Sequence, residues 1–125
     1  MKSNKNRYRL VVSFDGGNYS RVETYKDMDE PEALENLVEA LDVPLDAHGE
    51  AYCPTEEDVA KALGRGVKPS DGLCRAETKR QRAAYDAFTK LMTFVATGGE
   101  GECRVSVPDP NVPGAATEFV VSSES

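Results

Sequence analysis

Residues 29–42, DEPEALENLVEALD, predict the helix around which the rest of the chain is arranged. Asp29 is a good N-cap, Glu32 stands three residues later as in a capping box, and Pro31 falls in the first turn, where a missing N–H does no harm. Four apolar residues recur at the spacing of one helix face: Leu34, Leu37, Val38 and Leu41. This helix therefore needs an apolar partner surface elsewhere in the chain.

Strand patterns on both sides of the helical region provide that surface. Residues 8–14 alternate apolar and polar side chains, and residues 19–26 are rich in Tyr, Val and Thr. The DGGN sequence between them, residues 15–18, predicts a hairpin turn. Residues 102–107 repeat the alternation near the C-terminal end, and residues 117–122 predict a fourth strand beyond a Pro-rich loop.

Two further helices are predicted between these strand pairs. Thr55 and Asp58 form a second capping-box pattern, and Gly64 with Gly66 ends a short helix. Residues 73–97 predict the longest helix, whose apolar stripe lies in its second half: Ala84, Tyr85, Phe88, Leu91, Met92 and Val95. The first half contains RAETKRQR and has almost nothing to bury, so we expect it to project past the core.

The order ββαααββ predicts a single α+β domain over residues 1–125. We expect a four-stranded antiparallel sheet with the helices packed on one face, because an isolated hairpin is only marginally stable and both strand pairs gain by joining one sheet. Residues 1–6 and 122–125 are expected to be flexible ends.

The charges of the chain are segregated along the sequence. The formal net charge is −7, yet residues 27–58 hold twelve acidic residues and no lysine or arginine. Helix N-termini favour carboxylates and so explain about half of this block. The part left over is an acidic stripe at helical spacing: Glu32, Glu35, Glu39 and Asp42. Such a row can present negative charge to a basic protein surface.

The complementary feature is a basic cluster at the start of the predicted helix segment 75–90: Arg75, Lys79, Arg80 and Arg82. Arg75, Lys79 and Arg82 fall on about one helix face, with Arg80 to the side, and such a face can follow a phosphate backbone. A helix-turn-helix reading of this region is disfavoured, because GRGVKPSDG is longer than the usual turn of three or four residues. The cluster could equally be a solvated face, or could lie beside the acidic stripe within the fold.

Catalytic and metal-binding patterns are weak in this sequence. His48 is the only histidine, and it could pair with the nearby Cys53 in a thiol enzyme, but no third orienting residue is apparent. The spacing of cysteine, histidine and acidic residues fits no zinc or calcium motif, so we expect no metal and no cofactor. The apolar runs are too short for a membrane span. The odd number of cysteines favours a reducing, cytoplasmic setting.

These patterns favour a non-enzymatic protein-interaction module that binds a basic protein surface through the acidic stripe. Its most specific form is a phage or mobile-element inhibitor or adaptor that imitates nucleic acid and binds a nucleic-acid-handling protein. The alternatives are a small nucleic-acid-binding transcriptional regulator that uses the basic cluster, and a thiol enzyme that uses Cys53 and His48. The deciding question is whether the acidic stripe and the basic cluster pair with each other.

Overall fold

The computed structural model describes residues 6–15, 20–109, 112 and 114–124. Seven elements follow one another along the chain: β1 (Tyr8–Asp15), β2 (Ser20–Met28), α1 (Glu30–Leu41), α2 (Glu56–Leu63), α3 (Gly72–Ala96), β3 (Glu102–Pro108) and β4 (Ala116–Ser123). The predicted order and the α+β class are confirmed. Within the described residues, no helix is long and apolar enough to cross a membrane.

All four strands form one antiparallel sheet in the order β2-β1-β4-β3. The first and last strands of the chain are therefore neighbours at the centre of the sheet, and β2 and β3 are its edges. Val12 illustrates the register, since it lies opposite Glu23 on one side and Phe119 on the other. Asp15 pairs with Ser20, while the predicted turn at residues 16–18 lies outside the described residues.

One face of the sheet packs against α1 and α3. Tyr8 and Leu10 of β1 are almost fully buried there, together with Leu37 of α1 and Leu91 of α3. The Tyr8 hydroxyl donates a hydrogen bond to the Val95 carbonyl at 3.2 Å, which satisfies the one polar atom of that ring. Side chains of this size each contribute about 1.5–3 kcal/mol on full burial. The core therefore lies between the sheet and the two longer helices.

The helix ends follow the local sequence closely. Asp29 and Glu32 form a reciprocal capping box at α1, and Thr55 and Asp58 form another at α2. At the end of α3 the N–H groups of Gly98 and Gly99 return to carbonyls of the last turn, with Gly98 at a φ of 67°. That left-handed conformation favours glycine.

The first half of α3 lies beyond the main core, which this helix joins from Ala83 onward, but the prediction that this half has almost nothing to bury was wrong. Cys74 and Thr78 are buried, and Cys74 forms a second small cluster with Val59 and Ala60 of α2. The Cys74 thiol donates to the Glu56 carbonyl at 3.2 Å, and the Thr78 hydroxyl donates to the Cys74 carbonyl at 2.7 Å. Cysteine and threonine can fill a small interface once their polar atoms are bonded locally.

The C-terminal end also differs from the expectation of a flexible tail. Residues 122 and 123 belong to β4, and the Glu124 N–H donates to the Arg7 carbonyl at 2.7 Å. The Glu124 carboxylate accepts a hydrogen bond from the Asp27 N–H at 2.7 Å and lies 3.3 Å from the Arg9 guanidinium. Sheet pairing and these contacts hold the segment. Residues 1–5 and 125 lie outside the described residues.

Candidate functional site: the acidic face of α1 and the cleft at its end

The acidic stripe lies on α1, but its four members have different surroundings. Glu32 serves the helix itself, since its carboxylate accepts the Asp29 N–H at 3.1 Å in the capping box. Glu35 and Glu39 are exposed, and within the described part of the chain neither makes an ion pair or a side-chain hydrogen bond. No basic residue occurs in α1. With respect to the described residues, the middle of the stripe is therefore a negative surface without a compensating cation.

Asp42 ends α1 in an unusual way for an acidic residue. Its φ of 54° lies in the left-handed region, and its N–H returns to the carbonyls of Val38 and Glu39. Glycine commonly occupies this position at a helix end. A carboxylate is also unfavourable there, because the C-terminal end of a helix carries partial negative charge. One cation lies near it: the Arg80 guanidinium is 3.6 Å from the Asp42 carboxylate.

Arg80 is the most enclosed member of the basic cluster, with 18% of its side chain exposed. Its Nε and one terminal nitrogen donate to the Glu77 carboxylate at 3.1 and 2.8 Å. The hydrogen bond from Arg80, together with one from Gln81, holds the pKa of Glu77 below its usual value near 4.5. The hydrogen bond to Glu77 likewise raises the pKa of Arg80. This pair is a structural feature of α3.

The other three basic residues are held in different ways. The Arg82 Nε donates to the Pro54 carbonyl at 2.9 Å, which ties α3 to the segment before α2. Arg75 lies 3.9 Å from the Glu56 carboxylate. Lys79 is exposed and makes no ion pair with any described residue. Among the described residues, Asp42 and Arg80 therefore form the one ion pair between the acidic stripe and the basic cluster. The other members of the two sets, all of which the structure describes, do not contact each other through ion pairs or hydrogen bonds.

A cleft of about 490 Å³ opens where α1 ends above the inner face of the sheet. Its walls combine apolar side chains with four carboxylates and two arginines, which the following residues provide: Val12, Phe14, Arg21, Glu23, Ala40, Leu41, Asp42, Glu77, Arg80, Val107, Pro108, Asp109, Thr117 and Phe119. Asp42 thus belongs both to the acidic stripe and to the cleft. This volume lies in the range of small-ligand sites.

We did not predict this cleft from the sequence. A signal was present in β2, where Arg21 and Glu23 pair with Phe14 and Val12 and so share their side of the sheet. Val22 instead lies on the opposite face with 64% of its surface exposed. Charged residues on the apolar side of a strand indicate that the core ends at that point. Recognising this requires the register of β2 against β1.

The weak catalytic candidates are not brought together. His48 and Cys53 are both exposed, and no hydrogen bond joins them. The His48 N–H instead donates to the Asp46 carboxylate at 2.8 Å within a turn. In the described part of the chain, no three His, Cys, Asp or Glu side chains are grouped so that they could hold a metal ion.

Comparisons with protein-family models, curated proteins and solved structures give no match. A functional interpretation therefore begins from the side chains of this chain and their surroundings. Two features are candidates for a functional site: the exposed residues Glu35 and Glu39 of the acidic stripe, and the cleft lined by Asp42.

Proposed function

We propose that the protein is a non-enzymatic interaction module that presents the acidic stripe of α1 to a basic surface on a partner protein. The observation that carries the proposal is the pair Glu35 and Glu39, exposed and without an ion pair among the described residues. A surface of this kind would speed and orient association with a positively charged partner.

The exposed middle of the stripe also runs against the stability of its own helix. Glu35 and Glu39 are like charges at the i, i+4 spacing, which disfavours a helix by about 0.2–0.5 kcal/mol per pair. Asp42 adds a carboxylate at the unfavourable end of α1, where Arg80 at 3.6 Å offsets part of the cost. A role in solubility alone would not require these particular positions. Negative charge placed against local preference supports a role in binding.

The most specific form of the proposal is an inhibitor or adaptor, of the kind that phages and mobile elements use, that imitates nucleic acid and occupies the groove of a nucleic-acid-handling protein. The stripe extends about 15 Å along the helix, with carboxylates about 4.5–6 Å apart along the axis. One DNA strand carries a phosphate about every 3.4 Å of axis. The stripe is therefore a sparser row of charge than one DNA strand, so the imitation would be confined to a few phosphates and would engage a few basic side chains.

A nucleic-acid-binding regulator is the second candidate. It is favoured by a shallow cavity of about 560 Å³ on α3 that is lined by Arg75, Lys79 and Arg82. The same cavity is lined by Glu56 and Asp86, and the two arginines already have protein partners. This reduces the charge available to phosphates. A gel shift with DNA and RNA at low salt tests the candidate, and no binding would exclude it.

We also infer a reducing, intracellular location. Cys53, Cys74 and Cys103 are all free thiols, which suits a compartment where disulfides are rare.

The test of the main proposal is charge reversal on the exposed part of the stripe. A Glu35→Lys/Glu39→Lys variant should lose at least tenfold in affinity for a blocked decalysine peptide at low salt, measured by calorimetry. The matched control is Glu50→Lys/Glu100→Lys, which changes net charge equally at two exposed residues outside α1. Equal losses in both variants would mean that only net charge matters, and would contradict the proposal. Capture from nuclease-treated lysate with the same variants then identifies the natural partner.

A further inference from the structure

The cleft at the end of α1 points to the part of the partner that enters the molecule. We propose that it receives one arginine side chain of the partner protein, with its aliphatic stem on the apolar floor and its guanidinium at Asp42. This inference rests on the proposed function, because it assigns an anchor to the same interaction. It adds a defined site to what is otherwise a charged surface.

The charge of the cleft selects a cation. The lining includes four carboxylates against two arginines, which leaves an excess of two negative charges. Arg80 is already engaged by Glu77 at 2.8 Å and lies near Asp42, and Arg21 lies 3.8 Å from Glu23, so an incoming anion would compete with a carboxylate at either arginine. The Asp42 side chain is 87% exposed and retains room to bind a second cation. An anionic ligand is therefore disfavoured.

The floor of the cleft suits a side chain with an apolar stem. Val12 and Phe14 are half-buried at the inner face of β1, and Thr117 lies beside Phe14 on β4. Arginine combines an aliphatic stem with a planar cation that can donate two hydrogen bonds to one carboxylate and can stack on an aromatic ring. Lysine offers only a compact, strongly hydrated charge. The lining therefore favours arginine.

Continuity links the cleft to the surface of α1. Asp42 is the last residue of the acidic stripe and also lines the cleft, so a basic surface lying along Glu35 and Glu39 would bring its next side chain to the cleft mouth. The backbone of Asp42 is left-handed, with a φ of 54°. Glycine or asparagine would tolerate this conformation as well. An acidic residue adds a charge that Arg80 approaches to 3.6 Å and that a second cation can share.

The probe for this site is a blocked single arginine, Nα-acetyl-arginine methylamide, titrated into the ¹⁵N-labelled full chain at low salt. Its control is the citrulline analogue, which has the same shape without the charge. We expect the arginine probe to bind in the millimolar range, at least about fivefold more tightly than citrulline, and to shift amide signals of Phe14, Asp42 and Thr117. Equal binding of the two probes would overturn the proposal.

Two variants test the geometry independently. Asp42→Asn removes the charge and keeps a side chain that tolerates the left-handed backbone. Ala40→Leu fills the cleft with a good helix former and leaves every charge in place. Each should weaken the arginine probe at least about threefold, with folding checked by urea titration. Unchanged probe binding in both folded variants would show that the cleft is not the site.

The two proposals can fail separately. If decalysine binding depends on Glu35 and Glu39 while the arginine probe does not bind, the cleft assignment is wrong and the acidic stripe remains a binding surface. If the arginine probe binds in the cleft while decalysine binding is insensitive to Glu35→Lys/Glu39→Lys, the cleft is a cation site and the role of the stripe is wrong. The small probe separates these outcomes because it spans the cleft alone.

Discussion

The acidic stripe of α1 and the basic cluster of α3 are alike in sequence and different in the folded protein. The stripe has four acidic residues at helical spacing, and the cluster has three basic residues at that spacing, Arg75, Lys79 and Arg82, with Arg80 to the side. In the fold, three of the four cations are held by carboxylates or by a carbonyl, whereas Glu35 and Glu39 make no such contact with the described residues. Charge periodicity therefore identifies a surface, and tertiary contacts decide whether its charge is available to a partner.

The largest expected effect on stability comes from removing a cation of the basic cluster that has a partner in the fold. Arg80→Met should lower the free energy of unfolding by about 2–3 kcal/mol, because it leaves Glu77 partly buried without its cation. Lys79→Met is the matched control on the adjacent residue, and it should change stability by less than about 0.5 kcal/mol. Urea unfolding measures both. Similar values for the two variants would mean that Arg80 is as dispensable as Lys79.

The pH dependence of stability should show whether the Glu77–Arg80 pair is the source of the effect of Arg80→Met. The pKa of Glu77 is lowered in the fold by Arg80, so its contribution is complete above its usual pKa near 4.5 and is lost as pH falls below that value through the folded pKa. Arg80→Met removes this contribution. The stability difference between wild type and Arg80→Met should therefore shrink between pH 6 and pH 3, as measured by urea titration.

Asp58 provides an internal reference for that experiment. Hydrogen bonds from the Thr55 backbone and hydroxyl lower its pKa, with a smaller effect from Lys61. This capping contribution is also lost on acidification. It does not depend on Arg80 and should be common to both proteins, so it cancels in the difference. A difference that stays constant with pH would argue against the Glu77–Arg80 pair as its source.

The smallest expected effect on stability comes from neutralising the exposed carboxylates of α1. Glu35→Gln/Glu39→Gln should raise the free energy of unfolding by a few tenths of a kcal/mol, because it removes a like-charge pair at i, i+4 from α1. The control Glu50→Gln/Glu100→Gln lies outside α1 and should change stability less. Destabilisation by the α1 variant would indicate that these carboxylates have stabilising contacts, and would weaken the case for a free binding surface.

Prediction from sequence succeeded where neighbouring residues determine the outcome and failed where distant segments meet. The capping boxes of Asp29 and Thr55 follow from residues three positions apart and are confirmed. The burial of Cys74 was missed, because its apolar neighbours come from α2. The cleft was missed for a related reason, since Arg21 and Glu23 can be assigned to the inner face only through the register of β2.

By itself the sequence determined the order of the elements, the ends of the helices and the periodic placement of charge on α1 and α3. These depend on hydrogen bonds and apolar spacing within a few residues. The tertiary structure alone decided that β1 and β4 are neighbours, and that Arg82 bonds a carbonyl 28 positions earlier. It also decided that Asp42 and Arg80 share a cleft. These features depend on packing between distant segments, which local periodicity does not encode.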